Sequence, residues 1–502
     1  MTKSVSFAFV GLLGMLIAAA IADEPQKTVQ KTETFDHDPN WDAHQNRVKV
    51  PPVKKQQDFG WSSTNHCGTG PGEIGGVVWR SVTPAYYGKK VGPFNWDNPL
   101  SASGTITCLK SNTGKGWQTG STVYIGFFNS AEQGWRPINY MGFRLEVHTD
   151  TKAEKLESRP YVELCYGTSK WAAGGITANA RGEGQAKNPL ELDQDAMQRV
   201  PPDGSKHSWE FRYDPKGGDH GTGEIILVFD GNTTKTRIPR WHREHGATFD
   251  RFGIFNNQVC GNFIEVYLDD ISINGEKQDF ASDPKWDEKG NRDLVTDMRE
   301  YGAQDFGFSP TNHAGGAKPG ELGGFFQSVD PWETNFMGYY ADRVGPLTLD
   351  HKLFAKGKFS SDNEYSIDSS MAIGWFNADN LGWPVKNFVG VFFDSLSDTG
   401  RIITPLYGAA DGSTGSGDAK WVMFMPDGRH YDWTMEYDPA GEGGRGVIQF
   451  TINGETTTRV LNAGDRKKGA TFNRFGVFNL GGANSKHCVV WFDDLTYTVR
   501  AE

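Results

Sequence analysis

Apolar and polar residues alternate with a period of two along much of the chain. The stretch HSWEFRY, His207 to Tyr213, sets aromatic residues against polar ones, as a strand does when one face meets a core and the other meets solvent. Two further runs, GEIILVFDG (Gly223 to Gly231) and GVIQFTING (Gly446 to Gly454), are β-rich and end in Asp-Gly or Asn-Gly. That ending suits a two-residue hairpin, whose turn needs φ > 0 at both positions. Asp214-Pro215 and Asp438-Pro439 add turns, and no amphipathic helical period persists beyond about three turns. Sixty-two Gly and 24 Pro supply the turns that such a chain requires. The pattern predicts an all-β protein whose antiparallel strands close sandwich cores.

The strand pattern occurs twice. Phe35-x-x-Asp38-Pro39-x-Trp41-Asp42, followed by Asn46-Arg47, returns as Phe280-x-x-Asp283-Pro284-x-Trp286-Asp287 with Asn291-Arg292. FGWSSTNHCGTGPGEIGG (Phe59 to Gly76) returns as FGFSPTNHAGGAKPGELGG (Phe306 to Gly324). YYGKKVGP, IGFFN, GATFDRFGIFN and LDDISI have partners in YYADRVGP, IGWFN, GATFNRFGVFN and FDDLTY. A duplication of this kind marks two copies of one folding unit. The copies differ in their loops, chiefly by a Gly-, Asn-, Pro- and acid-rich stretch from Gly182 to Val200 that the second copy lacks. The expected organisation is a leader over 1–22, a linker over 23–33, one sandwich over 34–278 and a second over 279–502.

Lys3, the apolar run Phe7 to Ile21 and the small-x-small sequence Ala20-Ile21-Ala22 read as a secretory leader cleaved near Ala22. No Cys follows that site and no other apolar run approaches the roughly 18–20 residues of a membrane span. The expected location is therefore secreted or periplasmic. A net charge of −11 gives no basic footprint for nucleic acid and opposes anionic membranes and glycans at long range. Cys67, Cys108, Cys165, Cys260 and Cys488 lack the close spacing of zinc or redox motifs. Up to two disulfides in the first copy, or buried thiols, are the readings left open.

The order of a Gly-rich first strand, a Trp-x-x-x-Tyr-Asp-Pro strand (Trp209 to Pro215, Trp433 to Pro439), the hairpins and a final Asp-Asp strand resembles the concanavalin A-like lectin/glucanase superfamily of jelly rolls, which includes laminin G-like modules. The resemblance implies two tandem jelly-roll domains that bind extracellular or cell-envelope polysaccharide. It also implies a possible structural calcium ion at Asp269-Asp270 and Asp493-Asp494, with no other cofactor required. Adjacent residues of a strand point to opposite faces, so at most one Asp of each pair serves such a site; a solvated bulge is the alternative.

Candidate chemistry is concentrated in the repeated blocks. Asn65, His66 and Glu73, mirrored by Asn312, His313 and Glu321 and followed by Tyr86-Tyr87 and Tyr339-Tyr340, carry the residue types of proton abstraction beside a sugar carboxylate. Neither block holds the Arg that lyases place at that carboxylate, and Asn or His before a Gly-rich turn also caps backbone groups. The acidic string Glu191-Leu-Asp193-Gln-Asp195 has the alternation of glycosidase carboxylates but ends on Ala196 within Pro-flanked sequence, as a loop does. Trp135 and Trp383, close behind Asn129 and Asn377, are placed to stack on a sugar ring beside amide contacts, or to plug the end of a sandwich. Trp41 and Trp286 are expected to cover a sheet edge, and Trp209 and Trp433 to lie in cores. Carbohydrate binding is the leading expectation, ahead of a polysaccharide lyase or glycoside hydrolase and of an extracellular protein-interaction module.

Overall fold

The computed structural model describes residues 27–501 apart from 50–52, 82, 113–119, 132–137, 148–159, 178–196, 219, 260, 298–303, 329–336, 363–370, 383–384, 397–399, 416–420 and 481–486. The described chain is 59% strand and 4% helix, its strands paired antiparallel into jelly-roll sandwiches as the alternation predicts. In module one, Lys206–Asp214 lies between Leu100–Ser111 and Glu224–Phe229. The sheet runs on through Phe263–Ile273 and Glu73–Trp79 to Asp58–Ser62. Facing it are Tyr161–Gly167, Tyr140–Val147, Ser121–Phe128, Thr248–Asn256 and Tyr86–Asn95. Module two repeats the order, with Tyr431–Asp438 between Leu353–Asp362 and Val447–Ile452.

Both predicted hairpins form. Asp230 and Gly231 have φ of 47° and 80°, Asn453 and Gly454 of 44° and 86°, the paired left-handed geometry that a tight right-twisted hairpin demands. Trp209 and Trp433 are buried in the two cores, as their place in the alternation requires. Cys67, Cys108, Cys165 and Cys488 are thiols; burial pushes Cys67 and Cys108 up to about 12, so both stay protonated. Cys260 lies outside the described residues.

The expected boundary at 278/279 does not coincide with the packing units. Phe35 and Trp41 belong to the core of module two, and Phe280 and Trp286 to the core of module one. Trp41 stacks on Tyr340 (centroids 5.8 Å apart) and Trp286 on Tyr87 (5.7 Å), each just before a short strand, Asp42–His44 or Asp287–Lys289, that adds to a sheet edge. The other letters of the repeated motif complete the dock. Tyr340 donates to Asp38 at 2.6 Å and Tyr87 to Asp283 at 3.2 Å. Asp42 pairs with Arg474, and Asp287 with Arg251 at 2.6 Å. Asn46 donates to the Phe306 carbonyl, and Asn291 to that of Phe59 at 2.6 Å.

Each F-x-x-D-P-x-W-D segment is thus a closing piece, and the N-terminal one closes the distant module. The stretch expected as linker contributes the strand Thr28–Glu33, which pairs with the last strand so that Thr28 opposes Arg500 and Glu33 opposes Leu495. Where the chain crosses back between modules, Val53–Gln56 and Leu294–Asp297 pair with each other. A further inter-module contact sets the Arg401 guanidinium 4.8 Å above the Trp171 ring.

Candidate functional site

The repeated His/Glu block builds a loop, not a cleft. Glu73, fully buried at the start of its strand, accepts from the backbone N–H of His66 (2.9 Å) and Cys67 (2.8 Å) and from Thr64 Oγ1 (2.6 Å). His66 Nδ1 lies 2.7 Å from the same carboxylate, and its ring packs 4.4 Å from Tyr267. Glu321 does the same for the His313 and Ala314 amides and Thr311 Oγ1, with the His313 ring on Trp491. A buried carboxylate spent on several loop donors organises the turn and has little capacity left for substrate. Tyr87 and Tyr340, held by the closing pieces, do not join the histidines at one site.

The Asp pairs form bulges. Asp270 and Asp494 have φ of 53° and 51° and sit where the ladder to the neighbouring strand shifts register. Asp269 and Asp493 turn toward the Gly loop. A Cβ on Gly68 would fall 1.5 Å from Asp269 Oδ2, and one on Gly316 1.6 Å from Asp493 Oδ2, so only glycine fits there. Burial raises the carboxyl of Asp269, and raises that of Asp493 to about 7. An ammonium already sits at each loop. Lys206 Nζ donates to the Gly68 carbonyl (2.5 Å); Lys358 Nζ donates to that of Gly315 (3.2 Å) and pairs with Asp494 (2.8 Å). With one inward carboxylate per bulge and a lysine on the neighbouring carbonyl, these residues do not fit calcium, which needs six to eight oxygens. No group of three or more acidic, His or Cys side chains converges for a metal among the described residues.

The amides of Asn129 and Asn377 are engaged within their turns. Asn129 accepts from Ala131 N and donates to Thr248, and Asn377 accepts from Asp379 N. Trp135, Trp383, Glu191, Asp193 and Asp195 lie outside the described residues.

A polar cluster that the motifs did not reveal lies on module one, on the face of its second sheet turned away from the core. Tyr124, Arg144 and Glu163 are register partners on three adjacent strands, so their side chains stand in a row. Arg144 Nη2 lies 2.8 Å from Glu163 and 2.7 Å from Glu146, and its Nη1 donates to the Tyr124 phenol at 3.0 Å. Arg80 continues the chain, bonded to Glu146 (3.0 Å) and to Thr122. Burial works against the charge of Arg144, yet Glu146 and Glu163 hold its pKa well above the ordinary value. Burial likewise raises the Tyr124 phenol, which stays protonated and able to donate. Arg144 and Glu163 keep 14% and 15% of their side chains exposed. Tyr86, Phe128, Tyr140 and Phe255 pack beside it as a buried aromatic cluster.

Module two has Ala372, Phe392 and Thr404 at the register positions of Tyr124, Arg144 and Glu163. Beside that row Phe376, Phe388, Phe478 and Leu406 pack together with Val385, and Asp394 stands at the position of Glu146. The copies keep their scaffold residues and differ in this row.

No protein-family model and no curated protein matches the chain. Among solved structures it is similar to domains LG4-5 of the mouse laminin alpha1 chain (10% identity, 86% of this chain and 93% of that one, TM-score 0.23). It is also similar to peanut lectin (13%, 39% and 90%, 0.24) and to the alginate lyase Aly36B (13%, 35% and 80%, 0.23). These neighbours share the concanavalin A-like jelly-roll fold.

Proposed function

We propose that the protein is an exported carbohydrate-binding protein that seats a saccharide at the Arg144–Glu163 edge of module one. What supports the reading is the difference between copies: tyrosine, arginine and glutamate in a row, against alanine, phenylalanine and threonine on the same scaffold. A guanidinium and a carboxylate side by side offer the donors and acceptors that adjacent sugar hydroxyls require. The leader sequence and the expected cleavage near Ala22 support export.

The test is calorimetry against a panel of neutral and acidic oligosaccharides. Arg144→Gln and Glu163→Gln should each weaken binding about tenfold or more, as expected when charge-assisted bonds are lost. Phe392→Leu in module two should leave it unchanged. Unaltered affinity in both module-one variants would end the proposal. A processing enzyme is the second reading, favoured by the Arg144–Tyr124 contact, which sets a phenolic proton beside a fixed cation. It requires that new reducing ends or unsaturated products appear and vanish with Tyr124→Phe.

A further inference from the structure

Module two carries a groove of about 400 Å³ on the outer face of the sheet that contains Leu353–Asp362, Tyr431–Asp438 and Val447–Ile452. Asp494, at the bulge of the neighbouring strand, and Gly357 line it. Lys356 and Lys358 flank that glycine on one strand and therefore project to the same face. Thr434 and Thr451, directly opposed on the next two strands, and Asn453 from the hairpin complete the wall.

The corresponding positions of module one identify what this groove has become. Ser103, Thr105, Glu210 and Asp230 stand where module two has Lys356, Lys358, Thr434 and Asn453. All four replacements move the groove toward positive charge, within a chain of net charge −11; one, Ser208 to Asp432, moves it back. Lys358 is neutralised by Asp494, whereas Lys356 has no ion-pair partner among the described residues. The strands that line the groove are interior to the sheet, so their backbone groups are already paired and a peptide cannot dock by adding a strand.

We propose that this groove is a second ligand site, specific for an acidic saccharide whose carboxylate or sulfate meets Lys356 while its hydroxyls meet Thr434, Thr451 and Asn453. It is independent of the module-one seat, so Arg144→Gln leaves it intact. The experiment titrates the full chain carrying Arg144→Gln, which removes the module-one seat from the reading, with a uronate oligosaccharide, a sulfated oligosaccharide, a neutral one of equal length, and poly-glutamate. One of the two acidic saccharides should bind, more weakly as salt rises, and Lys356→Gln should weaken it by about tenfold, the scale of one charge-assisted contact. Thr434→Glu, which restores the module-one residue, should weaken it further, and Lys356→Arg should retain it. Equal binding of the neutral sugar, equal binding of poly-glutamate, binding by neither acidic saccharide, or no effect of Lys356→Gln would each overturn the proposal.

Discussion

Replacing Trp41 by Ala should damage the module farther from it in sequence. Trp41 is 6% exposed and packs against Phe35, Tyr340 and Tyr497, all within the core of module two. Burying roughly 200 Å² of indole at about 25 cal/mol per Å² is worth about 5 kcal/mol, and Trp→Ala changes in cores cost about 3–5 kcal/mol. At about 1.4 kcal/mol per factor of ten, exchange limited by opening of that module should quicken by roughly two to three powers of ten. Hydrogen exchange read by mass spectrometry separates the modules directly. Amides in Glu321–Gln327 and Leu353–Asp362 should lose protection, while those in Glu73–Trp79 and Leu100–Ser111 should keep theirs. Trp286→Ala should give the reciprocal pattern. If Trp41→Ala instead loosened Glu73–Trp79 and spared Glu321–Gln327, the exchange of closing segments would be refuted.

Other outcomes follow from the loops. Asp493, at 3.8 when unfolded and about 7 when folded, favours the protonated form in the native state. Its contribution is therefore complete below about pH 4 and lost as pH rises through 7, so the melting temperature of module two should fall over that interval, a slope that Asp493→Asn flattens. Gly68→Ala should cost about 1–3 kcal/mol, read by urea denaturation, because the new Cβ meets the Asp269 carboxylate; adding Asp269→Ala should recover part of it. Glu73→Gln should cost about 1–3 kcal/mol by the same assay, since the loop amides lose a charged acceptor, and should leave saccharide affinity within error.

The repeated motifs made the duplication and the strands legible, because alternation and Asn-Gly or Asp-Gly turns act locally. Which module each closing piece completes was not legible. Tyr87 and Tyr340, Phe59 and Phe306, Arg251 and Arg474 offer the same partners in both copies, so the sequence of Phe280–Asp287 fits either dock equally. The blocks that stood out, His66 with Glu73 and their counterparts, stood out because scaffold is what both copies retain. The candidate site hid for the opposite reason. Tyr124, Arg144 and Glu163 come from three strands and form no motif. The signal present was YMGFRLEV set against FVGVFFDSL: position 144 is arginine where the aligned copy has Phe392, while the acid at Glu146 is matched by Asp394. Comparing copies for their differences, not their identities, reads it out.

The last described backbone contact of the chain has a practical reach. Ala501 N–H donates to the Lys27 carbonyl at 2.8 Å, so whatever precedes Lys27 and whatever follows Ala501 leave the molecule side by side. A short peptide bridge across that point would weld the polypeptide into a loop, which a protease or a gene designer could then reopen at the Asp230-Gly231 or Asn453-Gly454 tips without parting either module from its closing piece.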